Sequence, residues 1–257
     1  MNNKNKDAKV GLGKCISVLD NQNFSLVESY KSLRTNILFS LPSNESGCRK
    51  VLFSSSKPGE GKTTTCVNTA ITLAQTNLRV LLIDADLRKP TIHRYFGFES
   101  RVGLTNALLG MSKLDDCIQS VPEIPTLHVI TSGVLPPNPS ELLSSRSMTY
   151  MLEKLSESFD FIIIDSPPIN VVTDALAISK LADGVVVVAS HNITRYPDIN
   201  QTVASLKFAG ANILGIVLNR VPKTKSKYGK NGDYSYKYKY KTLPDNIEFD
   251  YTGTKTK

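Results

Sequence analysis

The feature that most constrains the fold is a glycine-rich segment, SSSKPGEGKTTT at residues 54–65, between an apolar run and a helical run. It matches the phosphate-binding pattern G-x-x-x-x-G-K-[ST] at Gly61, Lys62 and Thr63, with Ser56 in place of the first glycine. In such a loop, backbone N–H groups curl around phosphate oxygens, and the positive end of the following helix adds attraction. Because strand, loop and helix occur in this order, the segment predicts a nucleotide-phosphate site rather than an ordinary glycine-rich turn.

The rest of the central region alternates between short β-branched runs and longer helical stretches. Runs such as RVLLIDAD, DFIIID and GVVVVAS are apolar on both faces, which is typical of a parallel sheet covered by helices on both sides. We therefore predict one doubly wound α/β domain over residues 48–221, a P-loop NTPase fold with a mostly parallel sheet and deviant Walker motifs. A single helical stretch is expected over residues 140–159.

The segments on either side of this domain differ from it. In residues 1–47 an amphipathic helix is predicted from the 3–4 spacing of Leu26, Tyr30, Leu33, Ile37 and Leu41. Residues 222–257 contain almost no valine, isoleucine or leucine, and they carry nine lysines against four acidic residues. This tail cannot bury enough apolar surface to offset its ordering entropy, so we expect it to be disordered.

The same tail holds six of the ten tyrosines of the chain, where little apolar material could bury them. They are Tyr228, Tyr234, Tyr236, Tyr238, Tyr240 and Tyr251. A basic aromatic tail of this kind could stack on single-stranded nucleic acid, or its exposed phenols could be substrates of an enzyme. The interleaved lysines fit both interpretations and do not choose between them.

Composition argues against a membrane-spanning or secreted protein. The longest apolar runs have the length of a strand, far below the ~20 residues that a transmembrane helix needs. The polar start, MNNKNKDAKVG, lacks the apolar centre of a signal peptide. Four scattered cysteines, Cys15, Cys48, Cys66 and Cys117, show no paired spacing. We therefore expect reduced thiols in a cytoplasmic protein.

Three aspartates stand at the ends of predicted strands, Asp84 and Asp86 after one strand and Asp165 after another. The carboxyl ends of parallel strands line one edge of the sheet, so these carboxylates are expected near the P-loop. A single aspartate at such a place is usually a helix cap or turn residue, but three beside a P-loop favour metal–nucleotide chemistry. Lys62 is expected to be exposed on its loop and to reach the β- and γ-phosphates, while Thr63 ligates Mg²⁺.

Together, SKPGEGKTT, LLIDADLRKP and FIIIDSPP resemble motifs of the bacterial tyrosine kinases, cytosolic enzymes of capsule and exopolysaccharide synthesis. VGLTNALLG and LPPNPSELL are also similar to segments of that family, so the resemblance covers nearly the whole chain. VESYKSLRTNI looks like the family's helical assembly motif E-x-x-R-x-x-R, with Glu28 and Arg34 matched and Lys31 at the middle arginine. The resemblance implies a ring-like homo-oligomer, in which Lys31 keeps the charge but lacks the bidentate fork of arginine.

The resemblance implies an ATP- and Mg²⁺-dependent protein-tyrosine kinase. Nucleotide contacts are expected from Lys57, Pro58, Gly59, Glu60, Gly61, Lys62, Thr63 and Thr64, and adenine contacts from Asn219 and Arg220. The expected metal ligands are Thr63, Asp86 and Asp165. The expected catalytic residues are Lys62, Asp84 and Asp86, with Asp84 the candidate for orienting the attacking phenol and drawing its proton.

The resemblance further implies that the six tail tyrosines are autophosphorylation sites used between subunits. It implies a separate membrane activator protein of polysaccharide export, a cognate tyrosine phosphatase and a place at the inner face of the plasma membrane, with no nucleic acid expected. A partitioning-type ATPase switch is the alternative, because its members share the nucleotide motifs and place a lysine reaching across a dimer at the position of Lys57. In this chain Lys57 is a remnant of that cross-dimer lysine, a working contact with a second subunit, or an ordinary surface charge. A basic nucleic-acid-binding protein is the less favoured alternative.

Overall fold

The computed structural model describes residues 24–41 and 47–222, and the structural statements below concern these residues. The chain divides into two units, Met1–Val221 and Pro222–Lys257. Apart from Pro222, the tail predicted to be disordered lies outside the described residues, and so do its six tyrosines.

The described part of the chain contains one seven-stranded sheet. Its strands are β1 (Arg49–Ser55), β2 (Val80–Asp84), β3 (Gln119–Ser120), β4 (Leu127–Ile130), β5 (Phe161–Asp165), β6 (Gly184–Ser190) and β7 (Ile213–Asn219). Their spatial order is β3-β4-β2-β5-β1-β6-β7. All neighbouring strands pair in parallel except β3 with β4, which confirms the predicted doubly wound, mostly parallel sheet. The sequence does not predict β3, because two residues are too few to show a strand period.

Helices cover both faces of this sheet. They are α1 (Phe24–Ser40), α2 (Lys62–Ala74), α3 (Ile92–Phe96), α4 (Leu104–Leu108), α5 (Pro139–Leu143), α6 (Arg146–Ser156), α7 (Asp174–Ser179) and α8 (Tyr196–Phe208). Successive residues of β2, such as Leu81 and Leu82, belong to different apolar cores. Because side chains alternate along a strand, this is the arrangement expected of a sheet buried on both faces.

Helix α1 packs against α2 through its apolar face. Tyr30, Ile37 and Leu41 are buried, and Leu26 and Leu33 pack partly buried against the same core. These are the five residues of the predicted apolar stripe, so the predicted amphipathic helix is confirmed.

The predicted single helix over residues 140–159 is wrong, because the structure forms α5 and α6 with a break at Ser144 and Ser145. Ser145 is the N-cap of α6, and its Oγ accepts the backbone N–H of Met148 at 3.3 Å. Serine satisfies the free N–H groups at a helix start better than it extends a helix. The prediction failed because the apolar spacing continues through both helices, although Ser144 and Ser145 separate them.

No helix among the described residues is long and apolar enough to cross a membrane. Cys48, Cys66 and Cys117 are buried free thiols, and Cys15 lies outside the described residues. Burial raises the pKa of all three described thiols above the ordinary value, so they are held in the unreactive protonated form.

Candidate active site

The carboxyl ends of the central strands border a cavity of about 580 Å³. The P-loop after β1 and the first turn of α2 form one wall, and the segment after β2 forms another. A third side comes from the segment after β5. Lining residues outside the predicted set include Arg88, Lys89, Arg94, Tyr95, Pro168 and Val171.

The P-loop turns tightly because two of its glycines have left-handed backbone conformations. The φ angle is 82° at Gly59 and 90° at Gly61, a region that residues with a Cβ rarely adopt. At Gly61 the space is also closed, since a Cβ would lie 2.0 Å from Nδ2 of Asn219. That amide donates to the backbone oxygen of Glu60 at 3.1 Å. Both the conformation and the contact with the end of β7 therefore require glycine at position 61.

Lys62 lies in a buried charged cluster, so the expectation of an exposed side chain is wrong. Its Nζ lies 2.6 Å from Oδ1 of Asp165 and 3.7 Å from Oδ2 of Asp86, and the side chain is only 8% exposed. Thr63 Oγ1 donates to the other oxygen of Asp165 at 2.6 Å. Burial opposes the charged form of Lys62, but the charges of the two aspartates outweigh burial and raise its pKa. The ammonium group is therefore held protonated between two predicted metal ligands.

Asp84 and Asp86 have different surroundings although one residue separates them. Asp86 lines the cavity, whereas Asp84 is fully buried and is not among the lining residues. Oδ2 of Asp84 accepts the backbone N–H groups of Thr91 at 3.0 Å and Ile92 at 2.9 Å. Burial, followed by the negative charge of Asp165, raises the pKa of Asp84 to about 7, near the value that suits a general base. The contacts give Asp84 a role in holding this backbone, and its role toward a phenol stays a prediction.

Oxygen ligands suited to a divalent cation converge at this cluster. The Thr63 hydroxyl and the Asp86 and Asp165 carboxylates all lie near Nζ of Lys62. Mg²⁺ is commonly held by one or two carboxylates, with phosphates and waters completing its shell. The residues that the structure describes contain no group of three or more His, Cys, Asp or Glu placed to hold a metal. Two carboxylates and one hydroxyl fit a Mg²⁺ whose remaining ligands are phosphates and waters, and its binding stays a prediction.

Lys57 and Glu60 have side chains that brace the P-loop instead of lining the cavity. Lys57 Nζ pairs with Oδ2 of Asp198 at 2.6 Å. The buried Glu60 carboxylate accepts the backbone N–H groups of Ser56 at 2.8 Å and Lys57 at 3.0 Å through Oε2. Its Oε1 accepts the Thr194 hydroxyl. Nucleotide contact by the backbone of these two residues stays a prediction.

The predicted adenine-contacting residues separate at the end of β7. Asn219 packs on the P-loop through Glu60 and Gly61 and is not among the cavity-lining residues. Arg220 lines the cavity and has a positive φ of 57°. Of the two, Arg220 is therefore placed to meet a ligand, and contact with adenine stays a prediction for both.

The predicted assembly residues follow one side of α1. Lys31 Nζ pairs with Oε1 of Glu28 at 2.7 Å, as residues three apart on a helix do. Arg34 Nη1 donates to the backbone oxygen of Thr72 in α2 at 2.9 Å. All three side chains thus have a partner within their own chain, and contact of Glu28, Lys31 and Arg34 with a neighbouring subunit stays a prediction.

The fold and the cavity define a P-loop NTPase, and a family model described as an AAA domain matches residues 48–209. The chain is 41% identical over 209 residues to the tyrosine-protein kinase YwqD of Bacillus subtilis (strain 168), which covers 81% of this chain and 85% of that one. It is 38% identical over 209 residues to the tyrosine-protein kinase CpsD of Streptococcus agalactiae, covering 80% and 89%. The crystal structure of the chimerical protein CapA2B2 is similar, with a TM-score of 0.77, 36% identity and coverage of 82% and 92%.

The chain therefore belongs to the bacterial tyrosine-kinase family, and it is a tyrosine-protein kinase. The resemblance inferred from the three motifs is confirmed. A partitioning-type ATPase shares the fold, but the relatives over four fifths of the chain are named as kinases.

Proposed function

We propose that the chain is an ATP- and Mg²⁺-dependent tyrosine autokinase that phosphorylates its own tail between subunits and thereby regulates capsular or exopolysaccharide synthesis. The observation that carries the proposal is the buried cluster of Lys62, Thr63 and Asp165 beside a cavity large enough for a nucleotide. The six tail tyrosines support it further, because they are phenols that no core needs.

In the proposed reaction, the phenol oxygen of a tail tyrosine forms a bond to the γ-phosphorus of ATP. The bond from that phosphorus to the β–γ bridging oxygen breaks, ADP leaves, and the phenol proton passes to a base or to water. Such a transfer depends mainly on positioning and on charge neutralisation. We assign charge neutralisation to Lys62. Asp84 remains the proposed group for orienting the phenol and accepting its proton, a role that requires its buried carboxylate to become accessible from the cavity when the phenol binds. Mg²⁺ held by Thr63, Asp86 and Asp165 supplies further neutralisation of the phosphates.

Binding of ATP requires Lys62 to change partners. Its ammonium group is paired with Asp165 at 2.6 Å. The phosphates of ATP compete for that ammonium group, because they carry more negative charge than one carboxylate. A buried carboxylate without a partner is costly, so release of Asp165 favours its use as a metal ligand.

We further propose a ring-like homo-oligomer assembled through Glu28, Lys31 and Arg34, a separate membrane activator protein and a cognate tyrosine phosphatase. The kinase is then cytoplasmic and peripheral to the inner face of the plasma membrane. The tail carries nine lysines against four acids, and each phosphate adds about −1.5 to −2 charge. Six phosphates reverse the sign of the tail, so phosphorylation is expected to release it and to loosen the assembly.

The test begins with the full-length chain, treated with phosphatase and then incubated with ATP and Mg²⁺, with and without the cytosolic segment of the activator. Mass spectrometry is expected to find phosphotyrosine in residues 222–257 of the wild type and none in Lys62→Met. Lys62→Met is next mixed with an active chain whose six tail tyrosines are phenylalanine. Phosphate on the inactive chain supports transfer between subunits, and its absence, while the wild type modifies itself, shows that transfer between subunits is wrong.

A further inference from the structure

The cavity wall that follows β2 carries two cations that have no partners in the part of the chain that the structure describes. Lys89 and Arg94 are exposed and line the cavity, and neither side chain has an ion pair or hydrogen bond within the described ranges 24–41 and 47–222. Their neighbour Arg88 differs, because its guanidinium donates to both oxygens of Asp174 at 2.8 and 3.0 Å. The charges of Lys89 and Arg94 are therefore available to a ligand, whereas that of Arg88 is not.

The backbone that presents these two cations is fixed. Oδ1 of Asp86 accepts the N–H of Lys89 at 3.1 Å, and Asp84 accepts the two N–H groups just before Arg94 that were described above. The Tyr95 hydroxyl lies 2.7 Å from Oγ1 of Thr64, which ties the wall to the first turn of α2. The backbone that carries the two cations therefore needs no ordering when an anion binds, and only their side chains must adjust.

The order of the strands supports a position for this wall on the acceptor side of the proposed nucleotide. Strands β2 and β7 lie on opposite sides of β1, each two strands away, or about 10 Å from the P-loop strand. Asp86 follows β2 and Asp165 ends β5, so the terminal phosphates and their cation belong on the β2 side. The base then extends toward Arg220 on the β7 side. Lys89 and Arg94 therefore lie where the phenol, rather than the base, approaches.

The tail supplies few acidic groups for such a site. An acid directly precedes Tyr234 and Tyr251, namely Asp233 and Asp250, whereas lysine or serine precedes the other four tail tyrosines. In YSYKYKY the tyrosines alternate with single residues. In a peptide bound in an extended conformation, side chains two residues apart point to the same side, about 6.6–6.8 Å apart. A phosphate on one tyrosine therefore brings an anion to the next at a short, fixed spacing.

We propose that Lys89 and Arg94 form a phosphotyrosine subsite beside the transfer site, so that a phosphorylated tail tyrosine directs the tyrosine two residues away into the reaction. The proposal rests on the proposed tail phosphorylation and adds an order to it. Within the cluster, a phosphate on Tyr234 directs Tyr236 into the reaction, and the same two-residue step then leads to Tyr238 and to Tyr240. Each step consumes one ATP and releases one ADP and one proton, and the priming phosphate stays where it is.

The test uses peptides of residues 230–242 in which Tyr236 is the sole acceptor. Tyr238 and Tyr240 are replaced by phenylalanine, and position 234 carries either phenylalanine or phosphotyrosine. A third peptide carries phosphotyrosine at position 240, four residues from the acceptor, and phenylalanine at 234. For the phosphatase-treated full-length kinase, the primed peptide is expected to have a kcat/KM about tenfold higher than the unprimed one, since a dianion meets two partly exposed cations. The third peptide is expected to gain less than about threefold.

The double variant Lys89→Gln/Arg94→Gln tests the assignment. For this variant, the ratio of kcat/KM for the primed peptide to kcat/KM for the unprimed peptide is expected to fall to about one or two. A general loss of kinase activity lowers both values equally and therefore does not change the ratio. Arg146→Gln/Lys207→Gln is the matched control, since it removes the same two residue types from exposed positions outside the cavity. Each single variant is expected to lose part of the ratio. Affinity for the primed peptide without ATP is measured by fluorescence anisotropy as a readout that needs no turnover.

The outcomes separate the subsite from the proposed function. A wild-type ratio near one overturns the subsite while tail phosphorylation stands, provided that the unprimed peptide is phosphorylated. A tenfold ratio that persists in the double variant overturns the assignment to Lys89 and Arg94. If wild-type kinase phosphorylates neither the peptides nor its own tail, the proposed function itself fails and the order of sites fails with it.

Discussion

The two segments that border Lys62 use their polar side chains in opposite ways. In the loop before it, Ser56, Lys57 and Glu60 all bond to groups of their own chain. In the segment after β2, Lys89 and Arg94 have no such bonds among the described residues, although hydrogen bonds hold their backbone. Both segments are therefore fixed, but only the second keeps free charge. The comparison separates a loop built for one geometry from a wall built to meet a charged ligand.

The braced loop also explains how the first P-loop glycine could become a serine. Among the described residues, those other than glycine with a positive φ are Asn77, Asn192 and Arg220, so Ser56 does not adopt the conformation that would require glycine. Its Oγ accepts a hydrogen bond from the Thr202 hydroxyl of α8 at 2.9 Å. A side chain at this position thus adds a tether to the loop without strain.

Lys62→Met is expected to have the largest effect, because it breaks the charged cluster between the two segments. Kinase activity should fall by at least about a hundredfold. Loss of the partner of buried Asp165 should also cost about 3 kcal/mol of stability, or roughly 6–12 °C in Tm. Lys89→Met removes a lysine that has no partner among the described residues, so it is the control and should leave Tm within about 1 °C. Equal Tm values for the two variants in a thermal melt contradict a stabilising ion pair at Lys62.

Glu60→Ala tests whether the loop depends on its brace. The backbone N–H groups of Ser56 and Lys57 lose their acceptor, which should cost about 2 kcal/mol and raise the KM for ATP about tenfold. Glu60→Gln should lose much less, because its carbonyl oxygen still accepts both N–H groups while its amide donates to Thr194. Steady-state kinetics at varied ATP distinguish the two. If glutamine and alanine raise KM equally, the charge of Glu60 matters rather than the hydrogen bonds to the loop.

Asp84→Asn tests the support of the wall through its pH dependence. The pKa of Asp84 is raised to about 7 in the folded chain, against about 3.9 unfolded. Its contribution to stability is therefore complete below about pH 4 and is lost as pH rises through 7. The Tm of Asp84→Asn minus that of the wild type should accordingly increase by a few degrees from pH 5 to pH 8.

Asp174→Asn provides the control of opposite sign. Although burial opposes it, the hydrogen bonds from Arg88 lower the pKa of Asp174, so the pair contributes stability above about pH 4 that is lost in acid. Its variant should melt below the wild type at neutral pH, and the gap should close as pH falls. Parallel pH profiles for the two variants are incompatible with the opposite environments of these aspartates.

Lys57→Met is expected to have the smallest effect, because its ion pair with Asp198 is partly exposed. The pair depresses the pKa of Asp198, so the slight loss of Tm at pH 7 should vanish in acid. In a double-mutant cycle, Lys57→Met and Asp198→Asn should be less than additive. Full additivity of the two Tm shifts shows that the lysine is not held by this aspartate.

Much of the site could be predicted from the sequence, because its residues are either neighbours along the chain or lie at the ends of predicted strands. The strand–loop–helix order fixes Lys62 and Thr63 at the start of α2, and a parallel sheet brings Asp86 and Asp165 to the same edge. These relations need only the pattern of elements. The same pattern predicts the sheet and the amphipathic helix α1.

The bracing of the P-loop could not be predicted in the same way. Glu60 reaches Thr194 and Lys57 reaches Asp198, partners more than 130 residues away that carry no motif. Whether Lys62 is exposed likewise depends on how closely Asp165 approaches it in the folded chain. The separation of the two residues along the sequence does not predict that distance. The break between α5 and α6 left a signal in Ser145, but the apolar period continued through it.

The hydrogen bond between Arg34 and the backbone of Thr72 has a mechanical consequence. Helix α2 has 13 residues and is therefore about 20 Å long, and it acts as a beam from the phosphate loop to the surface of α1. Thr72 lies ten residues, or about 15 Å, along the helix from Lys62, so a tilt of about 5° about Lys62 displaces Thr72 by about 1.3 Å. A bond of 2.9 Å stretched along that direction exceeds hydrogen-bond reach. The phosphate loop and the hydrogen bond to α1 thus lie near opposite ends of α2, so a tilt of α2 of this size breaks its bond to α1.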